Sequence, residues 1–187
     1  MANPKIGTTL IIGGARSGKS SFAQELALKM PQPVLFVATA EAGDEEMQKR
    51  IEMHKKNRPD MWRTLEAPTL VGQKLQQEIG AMPTVIVDCI TLLVNNVFNK
   101  YANSTGEPDN PSLVEQDTMA EISSLIACIN MVKAKFIVVT NEVGEGLVPV
   151  NSIGRLYRDL LGKANQMLAE SADQVYLMMA GLPLKIK

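Results

Sequence analysis

The sequence predicts an α/β fold in which a mainly parallel sheet is covered by helices on both faces. Three observations carry that reading. Short apolar runs alternate with helical stretches. The runs are apolar nearly throughout rather than at every second residue. A glycine-rich segment joins the first run directly to the first helix. Strands that are apolar on both sides are buried on both faces, the condition of a parallel sheet held between helix layers. A chain of 187 residues suits a single domain over residues 1–187, long enough to bury one stable core.

The elements follow in order. Residues 8–12 read as a buried strand, and residues 20–30 as a helix closed by Pro31 and Pro33. Residues 34–39, Val-Leu-Phe-Val-Ala-Thr, form a second strand. A polar helix is expected over 44–57 and must stop before Pro59, because proline pushes the preceding residue out of the helical region. A helix over 71–79 leads to a third strand, Thr-Val-Ile-Val-Asp at 84–88, after Pro83. A long amphipathic helix is expected over 114–133, with Met119, Ile122, Ile126 and Ile129 three or four residues apart. Residues 136–140 form a fourth strand. A helix over 155–172 carries the stripe Leu156, Leu160, Ala164 and Leu168. Residues 174–179 form a fifth strand, with room for a short further one at 184–186. Residues 99–112, rich in Asn, Pro, Gly and Ser, read as a long loop.

Composition narrows the class. Apolar residues make up 45% and charged residues 21%, close to the globular average, so disorder is not expected. A formal net charge of −1, with no long block of like charges, argues against a nucleic-acid partner. The cysteines Cys89 and Cys128 lack metal-ligand spacing and read as free buried thiols of a reducing compartment. No signal-peptide pattern opens the chain. Its longest apolar run, 175–184, is broken by Gly181 and Pro183, so no membrane span and a cytoplasmic location are expected.

Gly13-Gly14-Ala15-Arg16-Ser17-Gly18-Lys19-Ser20 matches G-x-x-x-x-G-K-[ST] in full, between a strand and a helix. In this phosphate-binding loop (P-loop), glycines let backbone N–H groups converge on phosphate oxygens, and the helix N-terminus adds free donors and a favourable dipole. Lys19 is expected at the β- and γ-phosphates, and the Ser20 hydroxyl on Mg²⁺. Asp88 ends a neighbouring strand as a Walker-B-type acid and is the second expected metal partner. Glu142, after the fourth strand, is a further candidate base or metal partner.

His54 is the single histidine. Met47, Ile51 and His54 share one helical face, which suits a histidine half-buried beside an apolar stripe. The neighbouring Arg50, Lys55 and Arg58 support the alternative. Cations disfavour imidazolium, keep the ring neutral and nucleophilic, and attract a triphosphate.

Further motifs extend over nearly the whole chain: Ala38-Thr39-Ala40, Arg50-Ile-Glu-Met-His-Lys-Lys-Asn-Arg-Pro59, Trp62-Arg-Thr-Leu-Glu66, Asp88-Cys-Ile-Thr, Thr140-Asn-Glu-Val-Gly144, Val148-Pro-Val-Asn151 and a C-terminal Gly-Leu-Pro-Leu-Lys-Ile-Lys. In this order, with the P-loop, they resemble the bifunctional adenosylcobinamide kinase/adenosylcobinamide-phosphate guanylyltransferase family of cobalamin biosynthesis. The resemblance implies a RecA-like P-loop fold, a trimer, and ATP and GTP as substrates. It also implies two reactions. A γ-phosphoryl group goes to the aminopropanol hydroxyl of adenosylcobinamide. GMP then passes from GTP to adenosylcobinamide phosphate, giving adenosylcobinamide-GDP and pyrophosphate. The guanylylated histidine of the family falls on His54. Its guanine-nucleotide contacts fall on residues 13–20, on Ala38, Thr39 and Ala40, on Lys55, Lys56, Asn57 and Arg58, and on Glu66 and Asp88. Covalent catalysis at His54 would split one displacement at the α-phosphorus into two, with neutral imidazole a good leaving group.

Two rivals are weighed against this reading. A small-molecule P-loop kinase without guanylyl transfer often carries an arginine-bearing lid, and no arginine lies between Arg63 and Arg155. Arg155 and Arg158 suit either phosphate contacts or a solvated helix face. A RecA-like motor acting on a partner would carry a nucleic-acid footprint that the near-neutral charge does not provide. Trp62, the only tryptophan, suits packing or an interface.

Overall fold

A computed structural model describes residues 7–41, 48, 52, 55, 58–103 and 108–187. It holds a seven-stranded sheet in the order β3-β2-β4-β5-β1-β6-β7. The strands are β1 Thr8–Gly13, β2 Val34–Ala38, β3 Arg63–Glu66, β4 Thr84–Asp88, β5 Lys135–Asn141, β6 Gln174–Met179 and β7 Leu182–Lys185. All neighbouring pairs are parallel except β6 with β7. The described helices are α1 Lys19–Leu28, α2 Val71–Glu78, α3 Ile90–Tyr101, α4 Pro111–Met131 and α5 Ser152–Ser171.

The period-two geometry of a strand sorts its residues onto two faces. Leu10, Leu35, Val37, Val85, Val87, Phe136 and Val138 point into one core, with the apolar sides of α2, α3, α4 and α5. Ile11, Val34, Phe36, Ile86, Ile137 and Val139 point into the other, with Ala23 and Ala27 of α1. Both faces are therefore covered, as the continuous apolar runs require. Each fully buried aliphatic or aromatic side chain contributes roughly 1.5–3 kcal/mol over an exposed one.

The helix starts follow local chemistry. Asn110 accepts hydrogen bonds from the N–H groups of Ser112 and Leu113, with Pro111 in the first turn of α4. Asn151 accepts from the N–H of Gly154 at 2.7 Å and caps α5. Gly18 precedes α1 in the left-handed region, at φ 94°, and no side chain caps this helix.

Two elements were not expected. β3 is a short edge strand, mostly exposed, so it presents no apolar run. In α3, Ile90, Leu93, Val94, Val97 and Phe98 are buried at the spacing of one helix face. The expected loop over 99–112 shrinks accordingly. Its first residues finish α3 and its last open α4, while residues 104–107 lie outside the described residues. The short final strand forms as β7, antiparallel to β6 and starting two residues earlier than expected. Of the helix expected over 44–57, Gln48, Glu52 and Lys55 are described and helical, and the remainder lies outside the described residues. Among the described residues, no helix is long and apolar enough to cross a membrane.

α2 packs closely on α4. A Cβ placed on Gly72 would lie 2.5 Å from the backbone oxygen of Ser124. Gly162 of α5 has open space around its Cβ position. Gly72→Ala should therefore cost about 1–3 kcal/mol in a urea unfolding series. Gly162→Ala, which removes a mid-helix glycine without a clash, should gain about 0.5–1 kcal/mol.

Candidate functional site

Parallel strands bring their C-terminal ends to one edge. The register aligns Ala38 with both Glu66 and Asp88, Asp88 with Val139, and Gly13 with Asn141. Residues far apart in sequence thus form one row of strand ends: Glu66, Ala38 and Asp88 in register, with Asn141 and Gly13 two residues further along β5 and β1. Ligands of open α/β sheets bind outside this edge.

The P-loop sits where β1 meets α1. The carbonyl of Gly13 accepts from the N–H of Glu142 at 3.0 Å, and that of Ser17 accepts from the N–H of Gly181 at 3.0 Å. Gly13 has no room for a side chain, since its Cβ would fall 2.6 Å from the Met178 oxygen and 2.9 Å from Ser17 Oγ. The β6–β7 turn therefore forms the back wall of the loop. Gly14, Ala15 and Arg16 are exposed at its tip, and Arg16 is left-handed, at φ 56°. Ser17 is buried, and its hydroxyl makes no hydrogen bond. Ser20 is half-buried in the first turn of α1.

Lys19 is buried and its Nζ donates to the carbonyl of Gly14 at 2.6 Å. Burial pulls the ammonium pKa below the usual lysine value, opposed by Cys89 and Asp88. Burial pushes the Cys89 thiol up to about 12, so it is neutral near pH 7 and Asp88 is the acting counter-charge. Cys89 itself is only partly buried, whereas Cys128 is fully buried.

Asp88 is half-buried at the end of β4. Behind it, Thr39 is fully buried and clasps the next residue in both directions. Its hydroxyl donates to the Cys89 carbonyl at 2.7 Å and accepts from the Cys89 N–H at 2.8 Å. Asn96 Nδ2 donates to the Thr39 carbonyl at 2.7 Å. The Thr39 side chain thus anchors the backbone at Asp88 and is not open to a ligand. Ala38 is buried, and Ala40 is half-buried.

The far end of the row is cationic. Arg58 lies 3.6 Å from the ring centroid of Phe36 and donates from Nη1 to Thr64 Oγ1 at 3.2 Å. Burial lowers its pKa, opposed by Asp88 and Glu66, so Asp88 acts on the cations of both halves of the row. Lys55 Nζ meets Glu66 Oε1 at 2.6 Å, and this hydrogen bond holds the Glu66 carboxyl below the usual glutamate value. Lys55, Arg58, Trp62, Thr64 and Glu66 are among the residues lining a cavity of about 370 Å³. That volume is at the small end of ligand sites. His54, Lys56 and Asn57 lie outside the described residues.

Several partners carry no sequence signal: Phe36 and Thr64 under Arg58, Asn96 behind Thr39, and a network beside the P-loop. In that network Thr140 Oγ1 donates to Asn165 Oδ1 at 2.7 Å, and Asn165 Nδ2 donates to the Asn141 carbonyl at 3.0 Å. The N–H of Asn141 donates to Thr91 Oγ1 at 2.9 Å. Trp62 is buried, with Nε1 donating to Gln32 Oε1 at 3.2 Å, which makes it a packing residue. Arg155 Nη1 donates to the carbonyls of Pro149 and Val150.

Residues 9–186 match the family model described as cobinamide kinase / cobinamide phosphate guanyltransferase. The chain belongs to this family. It is also 41% identical over 180 residues to the bifunctional adenosylcobalamin biosynthesis protein CobU of Escherichia coli (strain K12), covering 95% of this chain and 98% of that one. The protein of the same name from Salmonella typhimurium (strain LT2) is 40% identical over 179 residues, with the same coverage. CobP of Pseudomonas aeruginosa is 38% identical over 178 residues, covering 95% of this chain and 96% of that one. Among solved structures, the KaiC-like protein PH0186 of Pyrococcus horikoshii OT3 aligns over 93% of this chain and 71% of that one, with 13% identity and a TM-score of 0.48. As a member of the cobinamide kinase / cobinamide phosphate guanyltransferase family, the chain is a bifunctional transferase of adenosylcobalamin biosynthesis that uses nucleotide substrates.

Two predictions test the site's construction. Thr39→Val removes both bonds to Cys89 and should cost about 1–3 kcal/mol in urea unfolding, whereas Thr39→Ser should stay near wild type. Lys55→Ala should raise the Glu66 carboxyl pKa toward the ordinary glutamate value, read by carbon-detected NMR titration. The sign follows from a depressed folded-state pKa: the pair's small contribution is present at neutral pH and disappears as pH falls through that value.

Proposed function

We propose that both reactions run on one nucleotide edge, with the P-loop holding the polyphosphate and His54 acting as the covalent carrier of GMP. The gathering of Gly13, Asp88 and Glu66 at one edge of the sheet, with Lys55 and Arg58 at its far end, is the observation that carries this reading. In the kinase step the cobinamide hydroxyl oxygen attacks the γ-phosphorus of ATP or GTP. The bond to the bridging oxygen breaks, the nucleoside diphosphate leaves, and the hydroxyl proton goes to a base. In the second reaction a neutral ring nitrogen of His54 attacks the α-phosphorus of GTP and pyrophosphate leaves. A phosphate oxygen of cobinamide phosphate then attacks the same phosphorus and the P–N bond breaks. The products are cobinamide-GDP and free His54.

Residues 13–20 supply N–H donors at an uncapped helix start, the arrangement that suits an anion. Ala38 and Thr39 act from behind, their carbonyls held by Ala67 and Asn96, and position Ala40 beside the nucleotide at the end of β2. Lys55, Arg58 and Glu66 line its other end, where the resemblance also assigns Lys56 and Asn57. The Ser20 hydroxyl and the Asp88 carboxylate are hard oxygen donors of the kind Mg²⁺ takes together with phosphate oxygens and water. When bound, the ion would neutralise charge building on the phosphates. The resemblance further supports a cytoplasmic homotrimer acting on adenosylcobinamide and its phosphate.

His54→Ala should lose covalent labelling by α-labelled GTP while retaining phosphorylation of adenosylcobinamide. Labelling of the variant at the wild-type level would remove the carrier role. Lys19→Ala should lower phosphorylation on the order of a hundredfold or more, followed by transfer of labelled γ-phosphate.

A further inference from the structure

The loop from residue 143 to 151 joins β5 to α5 at the ligand edge. Its root is tied to the P-loop, because the N–H of Glu142 donates to the Gly13 carbonyl and Asn141 pairs with Gly13. Its inner side is braced. The N–H of Gly144 donates to Glu142, Arg155 holds two loop carbonyls, and Asn151 caps α5. Its outer side carries aliphatic side chains in the open: Leu147 is 97% exposed, Val148 62% and Val150 98%. Single exposed aliphatics are ordinary, but three within four residues on a braced loop form a patch that marks a binding surface.

We propose that this loop is the docking platform for the corrinoid acceptor. The proposal rests on the function proposed above, since it assigns the cobinamide side of the same site. Position supports it first. α5 packs on the face opposite α1, and the loop leading into it starts at Glu142, whose N–H is bonded to Gly13, so an acceptor seated on the loop lies beside the phosphate-binding turn. Chemistry supports it second. A corrin ring is broad, with methyl groups and amide arms around its rim, and such a ring calls for a surface rather than a closed pocket. Charge supports it third. The loop and its root carry Glu142 and Glu145 and no lysine or arginine, which suits a ring bearing cationic cobalt. Three side chains on one loop supply only a small part of the roughly 800 Å² per partner of a stable interface, so contacts between copies call for other surfaces.

The test titrates adenosylcobinamide against the full chain, by equilibrium dialysis, for wild type, the uncharged Leu147→Ser/Val150→Ser and the milder Leu147→Asn/Val150→Thr. Both variants should bind cobinamide at least about tenfold more weakly, the first more so, and show a raised KM for cobinamide. GTP affinity and covalent labelling by α-labelled GTP should stay at wild-type levels. Unchanged cobinamide affinity in both variants would overturn the platform. So would parallel loss of GTP binding in both, which would make the loop a structural element of the nucleotide site. A lower sedimentation mass in the variants would place a second copy on the loop and overturn the proposal. A wild-type chain that binds no cobinamide would remove the proposed function itself, and this assignment with it.

Discussion

The site is organised by the lack of space around Gly13. Its Cβ position is filled by the backbone of Met178 and the hydroxyl of Ser17, and Gly18 faces the backbone of Gly181 in the same way. β1 can therefore run hard against β6 before it turns, and the P-loop wraps over the β6–β7 turn. A side chain at Gly13 would push the loop off this wall and disturb the start of α1, on which Lys19 and Ser20 depend. The tail of the chain, remote in sequence, is thus a structural part of the phosphate site.

A second layer of order comes from polar groups buried behind the edge. Thr39 and Asn96 hold the end of β2 to the backbone just after Asp88, while Asn165, Thr140 and Thr91 hold the end of β5. Buried polar groups of this kind are costly unless paired, and when paired they fix a single arrangement. Asp88 and the P-loop are thereby set in one frame with β5 between them.

Much of this was legible in sequence, for identifiable reasons. The central strands are apolar on both faces, so they stand out as runs. The P-loop is a local motif whose residues act together within one turn of chain. Asp88 is visible because it ends such a run. β3 was hidden because an exposed edge strand has no apolar run to show. α3 carries a full helical period, from Ile90 to Phe98, but it begins two residues after β4 and runs into a polar loop, so its boundaries are not marked in sequence. The Thr39–Cys89 clasp joins residues 50 positions apart, and no local pattern announces it. Arg58 was legible as a cation, but its seat on Phe36 required the pairing of β2 with β3.

The pairing of Lys19 with the carbonyl of Gly14 has a consequence for substrate choice. A buried ammonium held by a neutral acceptor from its own loop gains most from an arriving anion, whichever base that anion carries. The P-loop therefore supplies grip but no knowledge of purine identity. Telling guanine from adenine falls to groups beyond the reach of this loop. Tightness and selectivity are held by separate parts of the chain, so each can change in evolution without undoing the other.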